Sequence, residues 1–348
     1  MRNDRIEGKW IAAFQRVFEL SKVQPGDVVA ILSESQSRAL NVQLAELALL
    51  AIGARPFHVM VPTAKQTAKV PIRSTGASYA IQKLEPVIKA LASSSMVVDC
   101  TVEGMMHAPE TPAIMQAGGR ILYVSNEHPE LLERCLPSTA LKQKVQDGIA
   151  LFSRSKSFRV RSAAGTDLTI DVTGAPCGGS WGYCDAPGLL DFWPGGLVAC
   201  FPPAGAVNGT LVMDRGDINL TFKRYLEQPV RLRIEQDYIV AIEGDGLDAE
   251  LMRSYFAVWG DREAYASSHV GWGMNPAARW DGLVMYDKGD INGTEQRAYA
   301  GNFLYSTGAN EVAGRYTLGH FDLPIRACTM HLDDTCIVKD GVLQGALA

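Results

Sequence analysis

The 348-residue sequence lacks the features that mark several large classes of protein. It has no run of Lys or Arg and a formal net charge of −5, so nucleic acid is not expected as a partner. The polar N-terminus has no apolar segment typical of a secretory signal. The longest apolar run, 44–52, is interrupted by Glu46 and is too short to cross a membrane. These absences predict a cytoplasmic protein with no membrane partner.

Two kinds of cofactor motif are also missing. The seven cysteines are scattered and form no C-x-x-C pair, which leaves a cysteine-based zinc site with little support. Reduced thiols, as in cytosolic proteins, are the simpler interpretation. Neither of the Gly-rich phosphate-binding motifs of nucleotide enzymes is present, so nothing beyond a possible fold points to a nucleotide.

The composition is that of a globular protein, with 47% hydrophobic and 20% charged residues, and the length favours two domains. The first third alternates helix-like segments with short apolar runs at 28–32 and 56–61, which predicts an open, mostly parallel α/β sheet. After a predicted helix at 141–152, short β-like segments are separated by Gly-, Pro- and Asp-rich turns. We therefore predict an α/β domain at 1–140 and a β-rich α+β domain at 141–348.

Only a few histidines are available to a metal site that uses imidazole ligands. Two of them form His-x-Asp pairs, at 320–322 and 331–333. On an extended backbone, residues two apart project to the same face, so such a pair can bind one ion. A third ligand would complete a facial triad that leaves positions open on Fe(II). A hydrogen-bonded loop is the alternative for either pair, but Gly319 and Pro324 favour a cavity-lining position for the first. The histidines are His58, His107, His128, His269, His320 and His331.

His269 lies in the segment SSHVGWGMNP, where Gly271 and Gly273 flank Trp272. Glycines so close to a histidine predict that backbone approaches a ligand or a metal there. The alternative is a core histidine that satisfies one backbone carbonyl. The residues by themselves leave both interpretations open.

Three stretches of the C-terminal half resemble the aminopeptidase T family of metallopeptidases: FPPAGAVNGTLVMD at 201–214, SSHVGWGMNP at 267–276 and GHFDLP at 319–324. The resemblance implies an aminopeptidase T-like fold. In that family the first two stretches supply glutamates, but Ala206 and His269 occupy those positions here. The segment GNFLYSTG also lacks the family's further histidine.

A two-metal hydrolase needs bridging carboxylates and ligands for both ions, and too many of these are replaced in this sequence. The set that remains is His269, His320 and Asp322, two imidazoles and one carboxylate. This set favours a single Fe(II) over paired zinc or cobalt ions.

Along its whole length the sequence is similar to a branch of that superfamily with the same substitution, the 2,5-dihydroxypyridine 5,6-dioxygenases of nicotinate degradation. The resemblance implies an oxidoreductase with one Fe(II) per subunit. It would add both atoms of O₂ to a small aromatic substrate and open the ring between C5 and C6 to N-formylmaleamic acid. It also implies a catalytic acid/base histidine on a flexible loop, and His107 after Met106 is the matching residue. An enzyme of this kind is expected to be a symmetric homo-oligomer.

Polar groups must recognise the ring nitrogen and the 2-oxygen of such a substrate. Arg297 could offset negative charge on the substrate, although a surface arginine beside Glu295 is the alternative. A histidine near its ordinary pKa of ~6.5 is suited to remove a ring-hydroxyl proton at neutral pH, and a solvated loop histidine is the alternative for His107. The candidate substrate-binding residues are Met106, Arg297, Tyr305, Ser306 and Thr307, of which Ser306 and Thr307 could equally be turn residues before Gly308.

Two other functions stay open. One is a metallo-aminopeptidase with a rearranged site, which would contain two zinc or cobalt ions instead of one iron. The other is a non-catalytic binding protein that kept the fold, which would retain no metal on anaerobic reconstitution. The metal content of purified protein distinguishes all three.

Overall fold

The computed structural model describes residues 5–65, 67, 69, 77–116 and 118–348. Strands and helices alternate up to residue 154, and strands dominate after it. The α-helices are α1 (Gly8–Leu20), α2 (Ala39–Ile52), α3 (Glu85–Ala92), α4 (Thr111–Met115), α5 (Pro129–Arg134), α6 (Thr139–Arg154), α7 (Leu247–Trp259) and α8 (Thr294–Ala298). The strands are β1 (Val28–Glu34), β2 (Arg55–Val61), β3 (Met96–Asp99), β4 (Ile121–Val124), β5 (Ser157–Ser162), β6 (Asp167–Asp171), β7 (Cys177–Ser180), β8 (Leu190–Trp193), β9 (Leu197–Cys200), β10 (Val207–Met213), β11 (Ile218–Asn219), β12 (Arg224–Tyr225), β13 (Val230–Glu235), β14 (Tyr238–Glu243), β15 (Ser267–Gly273), β16 (Phe303–Thr307), β17 (Phe321–Ile325), β18 (Cys328–Leu332), β19 (Thr335–Lys339) and β20 (Val342–Leu343).

The N-terminal part contains the parallel sheet that the sequence predicted. Its five strands lie in the order β2-β1-β3-β4-β8, and every neighbouring pair is parallel. β1 is apolar and almost fully buried, as expected for a strand covered on both faces. The edge strand β8 comes from residues after 140, so this sheet extends into the predicted second domain. The division into 1–140 and 141–348 stays a prediction.

The rest of the chain forms mainly antiparallel sheets, in agreement with the predicted β-rich part. Eight strands lie in the order β14-β13-β10-β6-β5-β18-β19-β20, and five more in the order β17-β16-β15-β9-β7. β13 alternates buried and exposed residues because one of its faces meets solvent. β15, β16 and β17 are instead buried at every residue, so this part of the five-stranded sheet lies inside the molecule.

One large hydrophobic core extends from Trp10 to Leu347 and includes residues of both parts. On the side of the parallel sheet, the rings of Phe14 and Trp193 lie 5.0 Å apart. On the antiparallel side, Phe158 and Trp272 lie 6.0 Å apart. The two parts are therefore packed on shared apolar side chains. No helix in the described part of the chain is long and apolar enough to cross a membrane.

Candidate metal centre

Two histidines and one aspartate meet in the five-stranded antiparallel sheet. His269 lies on β15, Asp322 lies on β17, and His320 immediately precedes β17. One ligand atom from each residue lies within 4.8 Å of the other two. The Nε2 atom of His269 is 3.6 Å from Oδ1 of Asp322, and Nε2 of His320 is 3.3 Å from Oδ2. His269 and Asp322, 53 positions apart in the sequence, are thus brought together by the strand order β17-β16-β15.

This donor set fits one divalent transition metal ion. Imidazole nitrogens and a carboxylate oxygen are ligands that iron binds in facial triads, with the remaining coordination positions left open. The side chain of Asp322 is buried, and those of His269 and His320 are only 11% and 13% exposed, so an ion here would be largely shielded from bulk water. The structure therefore brings together the three residues that the sequence proposed as ligands, and a metal cofactor is chemically compatible with them.

A serine hydroxyl contacts the Nδ1 atom of His269. Ser268 Oγ donates its single proton to the carbonyl oxygen of Ala309. The same oxygen lies 3.2 Å from Nδ1 of His269 and can accept a hydrogen bond from it when Nδ1 carries the ring proton. In that tautomer Nε2, which lies 3.6 Å from Oδ1 of Asp322, is the free nitrogen that a metal ligand needs. In the other tautomer Nε2 would instead donate to Ser306 Oγ, which lies 3.0 Å away.

The carboxylate of Asp322 is held by two further side chains. Arg297 Nε donates to Oδ2, and Ser306 Oγ donates to Oδ1 while lying 3.0 Å from Nε2 of His269. Burial alone would raise the pKa of Asp322, but the neighbouring charges of His320 and Arg297 outweigh it and hold the pKa well below its usual range. The carboxylate is therefore ionised at neutral pH, as cation binding requires.

The two candidate imidazole ligands have different electrostatic surroundings. Burial lowers the pKa of His269 to about 3, so this ring is neutral at physiological pH. Burial also acts to lower the pKa of His320, but the adjacent carboxylate of Asp322 outweighs it and the net shift is upward. A metal ion would have to displace any proton that His320 carries.

The three residues line a cavity of about 130 Å³. His107 lines it too, with its ring 5.6 Å from that of His320. Burial, together with the charge of His320, lowers the pKa of His107 to about 4, below the ordinary value of a histidine. The ring is neutral at pH 7 and can accept a proton. His107 and Met106 also line a larger cavity of about 930 Å³, and they therefore lie between the two spaces.

Three of the predicted substrate-binding residues, Tyr305, Ser306 and Thr307, lie on β16 and project to both of its faces. Ser306 contacts two of the candidate metal ligands, and the preceding Leu304 lines the cavity. Tyr305 instead hydrogen-bonds Ser267 through its hydroxyl, at 2.7 Å, within the core. Tyr305 and Thr307 are not among the described residues that line the cavity. Alternate residues of a strand face opposite sides, so these two point away from the face that carries Ser306. Met106 and Arg297 do line it. The roles of all five stay predictions.

The glycines near His269 lie against neighbouring backbone, which differs from the predicted approach of backbone to a ligand or metal. A Cβ atom on Gly271 would lie 1.9 Å from the carbonyl oxygen of Val198 in β9. A Cβ atom on Gly273 would lie 2.1 Å from the carbonyl oxygen of Tyr299. Both glycines therefore allow neighbouring backbone, not a metal or ligand, to approach β15 closely.

The sequence did not reveal several polar residues that line the cavity. Tyr123 lies near the carboxyl end of β4, a position at which ligands often bind in parallel sheets, and that rule was the available signal. Asn292 lies in a loop and gave no signal. Its Nδ2 donates to the hydroxyl of Tyr123 at 2.8 Å, and that hydroxyl donates to the carbonyl of Val102 at 3.1 Å. The missed polar residues are Glu103, Tyr123, Thr221, Lys223, Asn292 and Thr294.

Comparisons with known proteins point to one enzyme family. The family model described as 2,5-dihydroxypyridine 5,6-dioxygenase matches residues 9–345. A 2,5-dihydroxypyridine 5,6-dioxygenase of Pseudomonas putida KT2440 is 36% identical over 332 residues, which is 94% of each chain. The solved structure of 2,5-dihydroxypyridine dioxygenase from the same organism aligns with a TM-score of 0.91 and 34% identity, and covers 97% of each chain.

A second solved structure resembles the chain in fold alone. AmpT from Thermus thermophilus aligns with a TM-score of 0.60 over 97% of this chain and 99% of its own, at 14% identity. This likeness agrees with the aminopeptidase T-like architecture expected from the sequence. It carries no information about the reaction.

Proposed function

The chain belongs to the 2,5-dihydroxypyridine 5,6-dioxygenase family, and from this membership we propose that it opens 2,5-dihydroxypyridine between C5 and C6 to N-formylmaleamic acid. Both atoms of O₂ enter the product, so one substrate and one O₂ give one product with no other reactant. His269, His320 and Asp322 would hold one Fe(II) per subunit. The observation that carries the proposal is the convergence of these three side chains beside a cavity that His107 also lines.

Each side chain of the cavity then has a defined task. When bound, Fe(II) supplies the redox chemistry that lets O₂ react with the aromatic ring. His107 accepts the proton of a ring hydroxyl, which its neutral state at pH 7 permits. Arg297 places positive charge beside the site where negative charge develops on the substrate, while it keeps Asp322 oriented. Met106 and Leu304 contribute apolar walls that exclude competing water.

Asn292 is the residue best suited to recognise the ring nitrogen. The proton of the Tyr123 hydroxyl is committed to the carbonyl of Val102, so Tyr123 can only accept from Asn292 Nδ2. This fixes the orientation of the amide and leaves its Oδ1 as the atom that can accept a hydrogen bond from a ligand. A ring N–H in the 2-pyridone form of the substrate is such a donor, whereas a benzene diol has none at that position.

Metal dependence and reaction are tested together. Wild type, His269→Ala and His331→Ala are reconstituted anaerobically with Fe(II), and O₂ uptake and ultraviolet absorbance are followed with 2,5-dihydroxypyridine. Wild type should consume O₂ and substrate in equal amounts, and His269→Ala should bind little iron and be inactive. His331 belongs to the other His-x-Asp pair, on β18, and its variant should behave as wild type.

The opposite outcome identifies the alternative function. If iron-loaded wild type consumes neither O₂ nor substrate, while zinc or cobalt gives peptide hydrolysis, the chain is a metallo-aminopeptidase despite Ala206 and His269. If no metal is retained under any condition, it is a binding protein.

Two further expectations also remain proposals. A cytoplasmic location agrees with the seven cysteines, each of which is a free thiol. A homo-oligomer is proposed because most soluble enzymes that assemble do so symmetrically. Light scattering coupled to size-exclusion chromatography measures the second directly.

A further inference from the structure

We propose that Asp99 is a positioning residue that fixes the catalytic geometry of His107 through the segment 101–105. The proposal rests on the function proposed above for His107. Asp99 ends β3 and is completely buried. It is not among the described residues that line the cavity, so it would act only through the backbone that precedes Met106 and His107.

The carboxylate of Asp99 accepts three hydrogen bonds from this segment. Oδ1 accepts from the backbone N–H of Thr101 at 3.0 Å and from its hydroxyl at 2.7 Å. Oδ2 accepts from the backbone N–H of Met105 at 2.6 Å. Hydrogen bonds to a buried carboxylate are stronger than those between neutral groups. One side chain thus fixes both ends of a short loop, and its second contact lies two residues before His107.

Two adjacent strands hold the same segment. At the end of β1, Glu34 accepts from the backbone N–H of Val102 at 2.7 Å and from the hydroxyl of Ser78 at 3.1 Å. From β4, the hydroxyl of Tyr123 donates to the carbonyl of Val102 at 3.1 Å. β1, β3 and β4 are neighbours in the parallel sheet, so their carboxyl ends together fix one loop. Of these anchors, Asp99 contacts the residue nearest to His107.

The geometry makes a carboxylate necessary at position 99. An asparagine can accept at only one of its two side-chain atoms, and the other would direct an NH₂ group at a backbone N–H. Either Thr101 or Met105 would then lose its partner, and the loop would shift. A misplacement of about 1 Å at a reacting group can reduce a rate about 10²-fold. Asp99→Asn should therefore impair the step that His107 performs more than it impairs binding of substrate or metal.

The test compares iron-loaded Asp99→Asn with Asp248→Asn. Asp248 is also buried and accepts backbone hydrogen bonds, from Glu227 at 2.8 Å and Gln228 at 3.1 Å, but it lies outside the described cavity lining. Both variants should melt at lower temperature than wild type. We expect kcat to fall about 10- to 100-fold in Asp99→Asn alone, with iron content and KM for 2,5-dihydroxypyridine close to wild type.

A double-mutant cycle shows whether Asp99 acts through His107. His107→Ala should lower kcat about 10²- to 10⁴-fold, and adding Asp99→Asn to it should lower kcat little further. If Asp99→Asn proves unable to fold, Thr101→Val takes the place of Asp99→Asn in the cycle. That substitution removes one hydroxyl from the same hydrogen-bond network.

The possible failures are distinguishable. A normal kcat in His107→Ala would overturn the proposed role of that histidine. A low kcat in His107→Ala combined with a normal kcat in folded Asp99→Asn, or with two effects that simply multiply, would overturn the positioning role of Asp99 and leave the proposed function intact.

Discussion

The hydroxyl of Ser268 contacts the candidate metal ligand His269 and so can influence metal binding without touching the metal. Its own proton is directed at the carbonyl of Ala309, so it accepts from Nδ1 of His269 in the tautomer that leaves Nε2 free for a metal. Without that acceptor, the imidazole could rotate or adopt the other tautomer, in which Nε2 carries a proton and cannot bind a metal. Groups that orient a ligand in this way commonly affect metal affinity 10- to 100-fold, so the contact is open to measurement.

We predict that Ser268→Ala raises the dissociation constant for Fe(II) by about 10-fold or more, measured by anaerobic titration with a competing chelator. The matched control is Ser267→Ala, the preceding residue on β15. Ser267 is equally buried, and its hydroxyl contacts the carbonyl of Asp237 and the hydroxyl of Tyr305 instead of His269. The control should lose stability and keep its metal affinity. Equal metal affinity in Ser268→Ala and wild type would mean that the strand alone orients His269.

Individual site residues were predictable only where a local rule fixes the direction of the side chain. The pair His320 and Asp322 followed from the two-residue period of an extended chain. The same period places Tyr305 and Thr307 on the face of β16 opposite Ser306. Asn292 and Lys223 lie in loops, where the direction of a side chain depends on tertiary contacts that no local pattern encodes.

At the scale of elements, β15 must fit closely between β9 and β16 while it carries a candidate ligand. It pairs antiparallel with both, and its residues are all buried. At Gly271, β9 approaches so closely that an added Cβ would lie 1.9 Å from the carbonyl oxygen of Val198. Because backbone on both sides limits any adjustment, a larger residue must displace the strand itself.

We predict that Gly271→Ala lowers the free energy of unfolding by about 1–3 kcal/mol or more and also weakens Fe(II) binding, because β15 carries His269. Gly178 on β7, in the same sheet, is the control, since a Cβ there meets nothing within 4 Å. Gly178→Ala should stay within about 1 kcal/mol of wild type. Urea denaturation followed by circular dichroism, together with the chelator titration, measures both effects. An unchanged stability in Gly271→Ala would show that the strands separate more easily than their pairing suggests.

Elements with a strong pattern were predictable, and short ones were not. β1 begins at the continuous apolar run at 28–32, and α6 covers the helix predicted at 141–152. β8 consists of four residues followed directly by Pro194, so it carries no pattern of its own. It becomes a strand because β4 offers it a partner, and that is tertiary information.

At the scale of the whole molecule, β8 joins the two predicted domains. It is the edge strand of the parallel sheet, although it lies between β7 and β9 of the antiparallel sheet in the sequence. The large core contains Phe14 and Trp193 as well as Phe158 and Trp272. Neither part can expose its share of this core without a cost in hydrophobic free energy, so the parts should not unfold independently.

We therefore predict that the chain unfolds as one cooperative unit, and Val97→Ala is the sharpest probe of this. Val97 lies on β3 in a smaller hydrophobic cluster whose members all come from the N-terminal part and β8. Truncating it should cost roughly 1–3 kcal/mol. Hydrogen exchange is measured at increasing urea for peptides from β3 and from the distant β13. In a cooperative molecule both peptides should show the same urea midpoint of unfolding, and that midpoint should be lower than in wild type. A midpoint that falls for β3 and stays at the wild-type value for β13 would mean two independently stable domains, with a boundary that passes around β8 and not simply near residue 140.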